Sequence, residues 1–429
     1  MKRDSKRTKR IRNLVLVCIL SALLLTVSTY AWFIGMQTVK VNSFDISIAS
    51  VDGLMLSMDG IKWDTTIYPT DSSKTPVYEN NTNQFLDQEG QGLIPMSSIG
   101  EMNTTSRMKL FQKGSLTTTK GGYRLMASEV NNSTQLKVGE DTIAGQYVEG
   151  KGYVAFDVFV MNLSGEAYYA TDNAANEEAI YLTYDSSVTS TEVGTNTTGI
   201  ENSVRVGFAQ IGRVNAKDYG NLTAEDTTKL ATLTGITSTS SGDVTGITRN
   251  AAIWEPNENK HVAGAVSWYE KSCLKRDTSV TTQFKYLAED NACQDIQAKE
   301  ADGETVKHFP TYAVNQQIVE TDYVDVYDGV LNGYAEKVTK LTAVDTFTDT
   351  EKLVTGAARQ QLLTLAPNSI TKVRVYIWLE GQDVDNYDFA SLGNKISVSF
   401  GFTKERYTTG EIDENIPNQD GAEQIPSGN

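Results

Sequence analysis

The stretch ISVSFGF at residues 396–402 alternates apolar side chains with serine or glycine. Because successive side chains of a strand point to opposite faces of a sheet, this stretch predicts a β-strand with one packed face and one hydrated face. The stretch VRVYIWL at residues 373–379 alternates in the same way, but Arg374, Tyr376 and Trp378 fill its second face. A half-aromatic face favours burial, so we expect another part of the chain to cover this strand.

Three further stretches predict central strands of a sheet, because apolar residues would lie on both faces of the first stretch and make up most of the other two. They are YVAFDVFVM at residues 153–161, IYLTY at 180–184 and VRVGF at 204–208. Polar stretches at about residues 60–150 and 215–365 separate the strong strands, and we interpret them as insertions. The pattern predicts an all-β sandwich over residues 44–403 and a disordered acidic tail over 404–429.

One segment favours a helix instead. Residues 349–366 carry apolar side chains at helical spacing, and Pro367 follows them as a stop. Gly356 and the β-rich surroundings oppose this helix.

The N-terminus has the layout of an export signal. Seven Lys and Arg residues lie within residues 2–12, and an uncharged apolar run follows from Leu14 to Val27. A basic head, an apolar core of this length and small residues before the cut are typical of a Sec signal peptide. We therefore predict cleavage between Ala31 and Trp32 by a signal peptidase, which places the protein outside the cell or on its surface.

An uncleaved membrane anchor is the alternative. No charged residue lies between Leu14 and Lys40, and about twenty apolar residues suffice to span a bilayer. In that case residues 14–36 form a transmembrane helix and are the only part of the chain in contact with the membrane. The basic head stays in the cytoplasm under both interpretations, so both place the bulk of the chain outside.

The charge of the chain argues against nucleic-acid partners. Residues 1–31 carry seven basic residues and one acidic residue, so their removal changes the formal net charge from −16 to −22. A surface this acidic repels nucleic acid and anionic lipid headgroups. A hydrophobic content of 39%, with 20 Tyr and 13 Phe, is enough for a sizeable core.

Two cysteines, Cys273 and Cys293, remain once Cys18 has left with the signal. An even pair outside the cytoplasm predicts a disulfide bond, which stabilises the fold by roughly 3 kcal/mol for a loop of this size. Two buried thiols without a bond are the alternative.

Residues 32–43, which we call the arm, are too apolar to remain in water. The apolar members of the arm are Trp32, Phe33, Ile34, Met36, Val39 and Val41. The apolar parity changes near Asn42, which predicts a bulge or bend between the arm and the strand that begins near Phe44. A strand-forming arm can satisfy its backbone groups by pairing with an exposed sheet edge.

Several stretches together resemble the TasA/camelysin family of exported proteins, whose precursors are cut by a SipW-type signal peptidase. They are TYAWF at residues 29–33, VNSFDISI at 41–48, FDVFVMNLSGEA at 156–167, VRVYIWLEG at 373–381 and NKISVSFGF at 394–402. The similarity covers roughly a quarter of the chain. It consists of apolar alternation and turns rather than of chemical groups.

The resemblance implies an antiparallel, jelly-roll-like β-sandwich that assembles into extracellular fibres of the biofilm matrix of a Gram-positive bacterium. It also implies that the arm is added as a strand to the next subunit, so the partners are copies of the chain or related fibre subunits. This chain is much longer than the usual members and carries two further cysteines. Its insertions therefore decorate the fibre, bind a partner or block polymerisation.

Residues for catalysis are scarce. His261 and His308 are the only histidines, and neither stands in a zinc-binding His-Glu-x-x-His motif or a recognisable hydrolase triad. We therefore predict no enzymatic activity and no cofactor. The simplest interpretation places both histidines on the surface or at a strand end.

The densest acidic group is Asp383, Asp385 and Asp388 in the stretch GQDVDNYD. Carboxylate and backbone oxygens suit Ca²⁺, but Tyr387 stands where an oxygen ligand is expected and no glycine follows. We favour a solvated turn over a calcium site.

These observations predict an exported structural protein that forms or decorates fibres by donor-strand assembly. The alternative is a membrane-tethered extracellular β-sandwich that binds a carbohydrate or protein ligand through its insertions. Trp63 and Trp254 are the candidates for a sugar-stacking platform in that case.

Overall fold

The computed structural model describes residues 44–50, 53–76, 93–117, 123–130, 135–138, 141–164, 167–169, 173–190, 199–219, 247–258, 260–265, 274–276, 286–291, 312–319, 341–343, 348–349, 360–386 and 396–404. The arm, the cleavage position between Ala31 and Trp32, and the pair Cys273 and Cys293 lie outside these ranges, so they stay predictions. Within these ranges, no helix is both long enough and apolar enough to cross a bilayer.

Strands account for nearly all regular structure in the described residues. Numbered in chain order, they are β1 Phe44–Ser50, β2 Leu54–Ser57, β3 Thr66–Ile67, β4 Pro95–Ser97, β5 Phe111–Thr117, β6 Tyr123–Glu129, β7 Gln135–Val138, β8 Asp141–Tyr147, β9 Val154–Asn162, β10 Glu178–Leu182, β11 Ser187–Ser190, β12 Val204–Asn215, β13 Ala252–Glu255, β14 Leu274–Arg276, β15 Tyr286–Asn291, β16 Tyr312–Val314, β17 Leu341–Ala343, β18 Thr348–Asp349, β19 Leu363–Leu365, β20 Ser369–Glu380 and β21 Ile396–Thr403. Short helical turns occur at Ala174–Asn176, Ile200–Ser203 and Ala216–Tyr219.

The strands form two main sheets. The larger sheet has nine strands in the order β18-β13-β12-β20-β4-β5-β6, with β9 beside β20 and β2 beside β9. Strands β9 and β4 follow each other along the same edge of β20. The smaller sheet has six strands in the order β19-β10-β21-β1-β3, and β11 also pairs with β21. The pairs β7–β8, β14–β15 and β16–β17 are separate hairpins or ribbons.

The main core lies between these two sheets. Alternating residues of β1, β10 and β21 pack against alternating residues of β9, β12 and β20, and all of them are buried. Phe208 of β12 meets Phe400 and Phe402 of β21 edge to face, with ring centroids 5.1 and 5.8 Å apart. The predicted all-β, sandwich-like class is therefore confirmed, and ISVSFGF is one of its strands, with its apolar residues buried.

Both sheets are mixed, so the expectation of a purely antiparallel sandwich is wrong. Strand β1 pairs with β21 in parallel from Phe44 to Ser50, and the pairs β20–β4 and β13–β18 are also parallel. The hydroxyl of Ser47 donates a hydrogen bond to that of Ser399 across the β1–β21 pair, at 2.9 Å. Parallel strands need a long connection, and nearly the whole domain separates β1 from β21.

The helix expected over residues 349–366 is wrong at its C-terminal end. Residues Leu363–Leu365 form β19, which pairs antiparallel with β10. Leu363 and Leu365 are buried in the main core, so the contact with β10 outweighs the helical spacing of the local sequence.

A second cluster covers the outer face of β20. Tyr376 and Trp378 pack there with Met96, Met108 and Tyr153. Most of these partners come from residues 93–113, inside the stretch interpreted as an insertion. The expectation that another part of the chain covers the aromatic face of β20 is therefore confirmed.

Candidate functional site

The turn that follows β20 holds two of the three aspartates singled out in the sequence. The backbone N–H of Asp385 donates to Oδ1 of Asp383 at 2.8 Å, which closes the turn. The side chain of Asp385 is fully buried, and that of Asp383 is 7% exposed. The favoured interpretation of this segment as a solvated turn is wrong for these two residues, because neighbouring elements cover it. Asp388 lies outside the described residues.

His261 reaches the same turn from the segment that follows β13. Its Nδ1 donates to Oδ2 of Asp385 at 2.7 Å, and the backbone N–H of Val262 donates to Oδ1 of Asp385 at 3.0 Å. One carboxylate thus anchors the segment at residues 260–265. The side chain of His261 is 10% exposed, so the expected surface position is wrong. His308 lies outside the described residues.

Gly199 allows the close approach at this point. Its φ is +77°, and an added Cβ would lie 2.8 Å from the methyl groups of Val262 and 2.9 Å from Oδ1 of Asp385. Glycine is therefore required here both by the backbone conformation and by the available space.

Arg205 of β12 ties the turn to the larger sheet. Its Nη2 donates to Oδ2 of Asp383 at 2.6 Å and to the carboxylate of Glu255 at the end of β13. Its Nη1 donates to the backbone carbonyls of Asn202 and Val204, each at 3.1 Å. The arginine is fully buried, so its ion pairs are shielded from solvent and from salt.

Negative charge dominates this site. Four carboxylates, those of Glu255, Glu380, Asp383 and Asp385, interact with Arg205 or His261. Burial raises the pKa of Glu380 to about 7, although Arg205 favours its charged form. Burial opposes a charge on His261, but Asp385 and the other acids outweigh this effect and raise the pKa of His261 above its ordinary value.

The site also has the composition of a cation site. One donor atom each from His261, Asp383 and Asp385 lie within 4.8 Å of one another. An imidazole held by a carboxylate can carry a proton or share a metal ion with the acids around it. The arrangement is therefore equally suited to charge pairing and to metal binding.

A second charged cluster joins the outer face of β20 to its cover. Arg374 donates from Nε and Nη2 to the two carboxylate oxygens of Asp157 at 2.6 and 3.0 Å, and Lys372 lies 3.2 Å from the same carboxylate. Glu149 accepts from Arg374 at 3.0 Å and pairs with Arg107 at 2.7 Å. All five side chains are at most 3% exposed. Their burial favours a structural role, which is to fix the cover to the sheet.

A third cluster centres on Glu177, just before β10. Arg249 donates to both of its carboxylate oxygens, at 2.6 and 2.8 Å, and Arg213 pairs with it from β12. Thr364 of β19 donates to it at 2.7 Å. Burial alone raises the pKa of a carboxyl group, but these hydrogen bonds outweigh it and lower the pKa of Glu177 to about 2. The cluster connects the smaller sheet to the larger one.

Sequence reasoning identified part of the main site and missed the rest. It singled out Asp383 and Asp385, but it did not bring them together with His261, Arg205 or Glu255. A lone arginine within VRVGF was the available signal, because a buried charge inside a strand requires a partner. Trp254 is fully buried in the main core and cannot form part of a sugar-stacking platform.

No protein-family model matches the chain, and comparison with curated proteins and with solved structures gives no match either.

Proposed function

We propose that the chain is an exported structural protein that forms or decorates extracellular fibres of the biofilm matrix by donor-strand assembly. In this proposal a jelly-roll-like sandwich is the body of the subunit. The arm at residues 32–43 pairs with a sheet edge of the next copy. The observation that carries the proposal is the position of β1, which begins at Phe44, directly after the arm.

The register of β1 supports an outward path for the arm. Phe44 pairs with Ile396, the first residue of β21, so the two strands begin at the same level. An extended arm that continues the direction of β1 therefore passes beyond this end of the pair. Twelve extended residues span roughly 40 Å, which is longer than a seven-residue strand of a neighbouring copy.

The edge of β1 that faces away from β21 is a candidate acceptor for the arm of another copy. In the described part of the chain, β3 pairs with β1 only through Ile48 and Ala49. Nearer the start of β1, the N–H of Ile46 donates to the side chain of Thr70 at 3.2 Å instead of to a strand. Because β3 covers only two residues of this edge, an incoming strand could pair with the rest of β1. The existing pairing between β3 and β1 would remain in place.

The experiment compares purified protein that begins at Trp32 with protein that begins at Phe44. We expect filaments by negative-stain microscopy, and rapid sedimentation, only for the form with the arm. A third form carries Val39→Asp and Val41→Asp, which keep the length of the arm but remove its apolar character. A fourth carries Thr38→Ser as the matched control and should assemble like the first.

Thermal unfolding checks that all four forms contain the folded domain. Filaments that persist without the arm would contradict strand donation, and a monomer in every form would contradict assembly altogether. N-terminal sequencing of the exported protein distinguishes fibre assembly from the membrane-tethered alternative. Trp32 as the first residue supports assembly, whereas an intact basic head supports a membrane-anchored binding module.

A further inference from the structure

The cluster of His261, Asp383 and Asp385 joins two segments that are distant in sequence. Asp383 and Asp385 lie on the turn after β20, and His261 lies on the segment after β13. His261 and Asp385 are 124 residues apart in the chain, and the atoms that join them are 2.7 Å apart. A ligand at this point therefore connects two loops of the domain.

Among the described residues, carboxylates outnumber the cations that interact with them around the cluster. Glu255, Glu380, Asp383 and Asp385 have side chains that are at most 7% exposed. Arg205 is the fully charged cation that contacts Glu255 and Asp383. A protonated His261 adds a second positive charge, and Glu380 is only partly ionised at neutral pH because burial raises its pKa to about 7. Buried carboxylates require cations nearby, and a divalent ion would supply two charges at one point.

The donor atoms decide which cation fits. An imidazole nitrogen together with carboxylate oxygens suits Zn²⁺ and its first-row neighbours, whereas Ca²⁺ takes oxygen ligands. We propose that His261, Asp383 and Asp385 bind one divalent transition-metal ion, with Zn²⁺ as the best match. This ligand set differs from the calcium site considered from the sequence, because it includes the histidine.

Small movements are enough to admit the ion. Ligand atoms lie about 2.0–2.2 Å from a tetrahedral Zn²⁺, so two neighbouring ligand atoms are about 3.3–3.6 Å apart. The atoms of His261 and Asp385 are 2.7 Å apart and need to separate by roughly 0.6–0.9 Å, while the donor atoms of all three residues already lie within 4.8 Å of one another. The ion replaces the proton shared by Nδ1 and Oδ2, and this proton is released to solvent. Partial exposure of His261 and Asp383 gives the ion a route to the site.

The hydrogen bonds that hold the two aspartates are of the kind found around metal centres. Arg205 holds Asp383, and the N–H of Val262 holds Asp385. Hydrogen bonds of this kind orient ligating carboxylates. The bound ion then acts as a cross-link between the two loops, and it stabilises the folded state because the unfolded chain lacks the assembled site.

The test uses metal-free protein whose thiols have been alkylated, so that cysteine cannot bind the ion. Isothermal titration with Zn²⁺ should show one site per chain. At an ion concentration about one hundred times Kd, the melting temperature should rise by roughly 3 °C. His261→Gln should weaken binding by about 100-fold or more, since removing an outer contact of a metal ligand alone costs about 10–100-fold.

The second histidine supplies the matched control. His308→Gln should leave both the stoichiometry and Kd unchanged. Asp385→Asn should weaken Zn²⁺ binding as His261→Gln does. Circular dichroism shows whether this buried variant folds. If it does not fold, the binding measured for His261→Gln is the test of the proposal. Absence of Zn²⁺ binding in the unaltered protein would overturn the proposal. So would equal binding by His261→Gln, loss of binding in His308→Gln, or displacement of Zn²⁺ by an equal concentration of Ca²⁺.

Discussion

Arg374 and Asp157 face each other across the β20–β9 pair and are joined by two buried hydrogen bonds. Asp157 also lies 3.2 Å from Lys372, so it interacts with two cations, of which Arg374 also contacts Glu149. This arrangement is costly to break, because a charge left alone in the interior keeps its desolvation penalty.

Asp157→Ala should therefore lower the free energy of unfolding by about 3–5 kcal/mol. Urea unfolding followed by tryptophan fluorescence measures the change. Lys74→Ala provides the comparison, because its ion pair with Asp71 is largely exposed and should contribute much less than the buried pair. Equal losses in the two variants would contradict the role assigned to Asp157.

Glu177 should make stability depend on pH in the acidic range. The pKa of Glu177 is about 2 in the folded protein and 4.5 in the reference state, so the unfolded chain takes up the proton first as the pH falls. Its contribution is fully present above pH 4.5 and is lost between about pH 4.5 and 2, with a magnitude of about 3 kcal/mol.

The measurement compares urea unfolding of the unaltered protein and of Glu177→Gln across this range. Subtraction of the two profiles removes the contribution of the other carboxyl groups. The difference should be largest at neutral pH and should shrink toward pH 2. A difference that does not change with pH would show that the carboxylate charge of Glu177 is not what stabilises the cluster.

Two glycines with nearly the same backbone conformation should respond differently to substitution. Gly199 and Gly53 have φ values of +77° and +76°, but an added Cβ would meet atoms at 2.8 Å in the first case and only at 3.6 Å in the second. Each alanine variant should lose about 1 kcal/mol from the backbone conformation. Gly199→Ala should lose a further 1–3 kcal/mol, approximately, from the steric conflict. Thermal unfolding of both variants gives the comparison, and similar losses would show that the loop near Asp385 can move aside.

Phe208 should be one of the most sensitive positions of the main core, because it joins the two sheets. Phe208→Ala removes its contacts with Phe400 and Phe402 and should cost about 3–5 kcal/mol. Phe208→Leu keeps part of the volume and should cost less. Tyr184→Ala is the surface control, since that side chain is 70% exposed and should change stability by less than about 0.5 kcal/mol. A small loss in Phe208→Ala would indicate that the sheets can repack without this contact.

The sequence was informative wherever the relevant pattern was local. Alternation predicted β20 and β21, and apolar residues on both faces predicted the buried strand β9. The aromatic second face of β20 also predicted its cover. In each case the period of the side chains reports directly on burial, and no knowledge of the partner strand is needed.

The sequence was less informative about contacts between distant segments. Asp157 is a charged residue within an apolar run, but nothing local identifies Arg374 as its partner, 217 residues away. The parallel pairing of β1 with β21 could not be predicted either, since the alternation of side chains does not specify the direction of the partner strand. The site at His261 and Asp385 depends on two loops whose approach is determined by the assembled sheets, so the sequence pattern identified the two aspartates but not their contact with the histidine.

The pairing of β1 with β21 has a consequence for biosynthesis. Ser47 and Ser399 are 352 residues apart, and a ribosome that adds about 5–20 residues per second needs roughly 20–70 s to make the chain between them. Throughout that interval β1 lacks its longest partner, and the smaller sheet cannot close. A nascent chain that is stalled before Ile396 lacks β21, so its smaller sheet should remain unfolded. We expect such a chain to stay sensitive to protease until β21 has emerged.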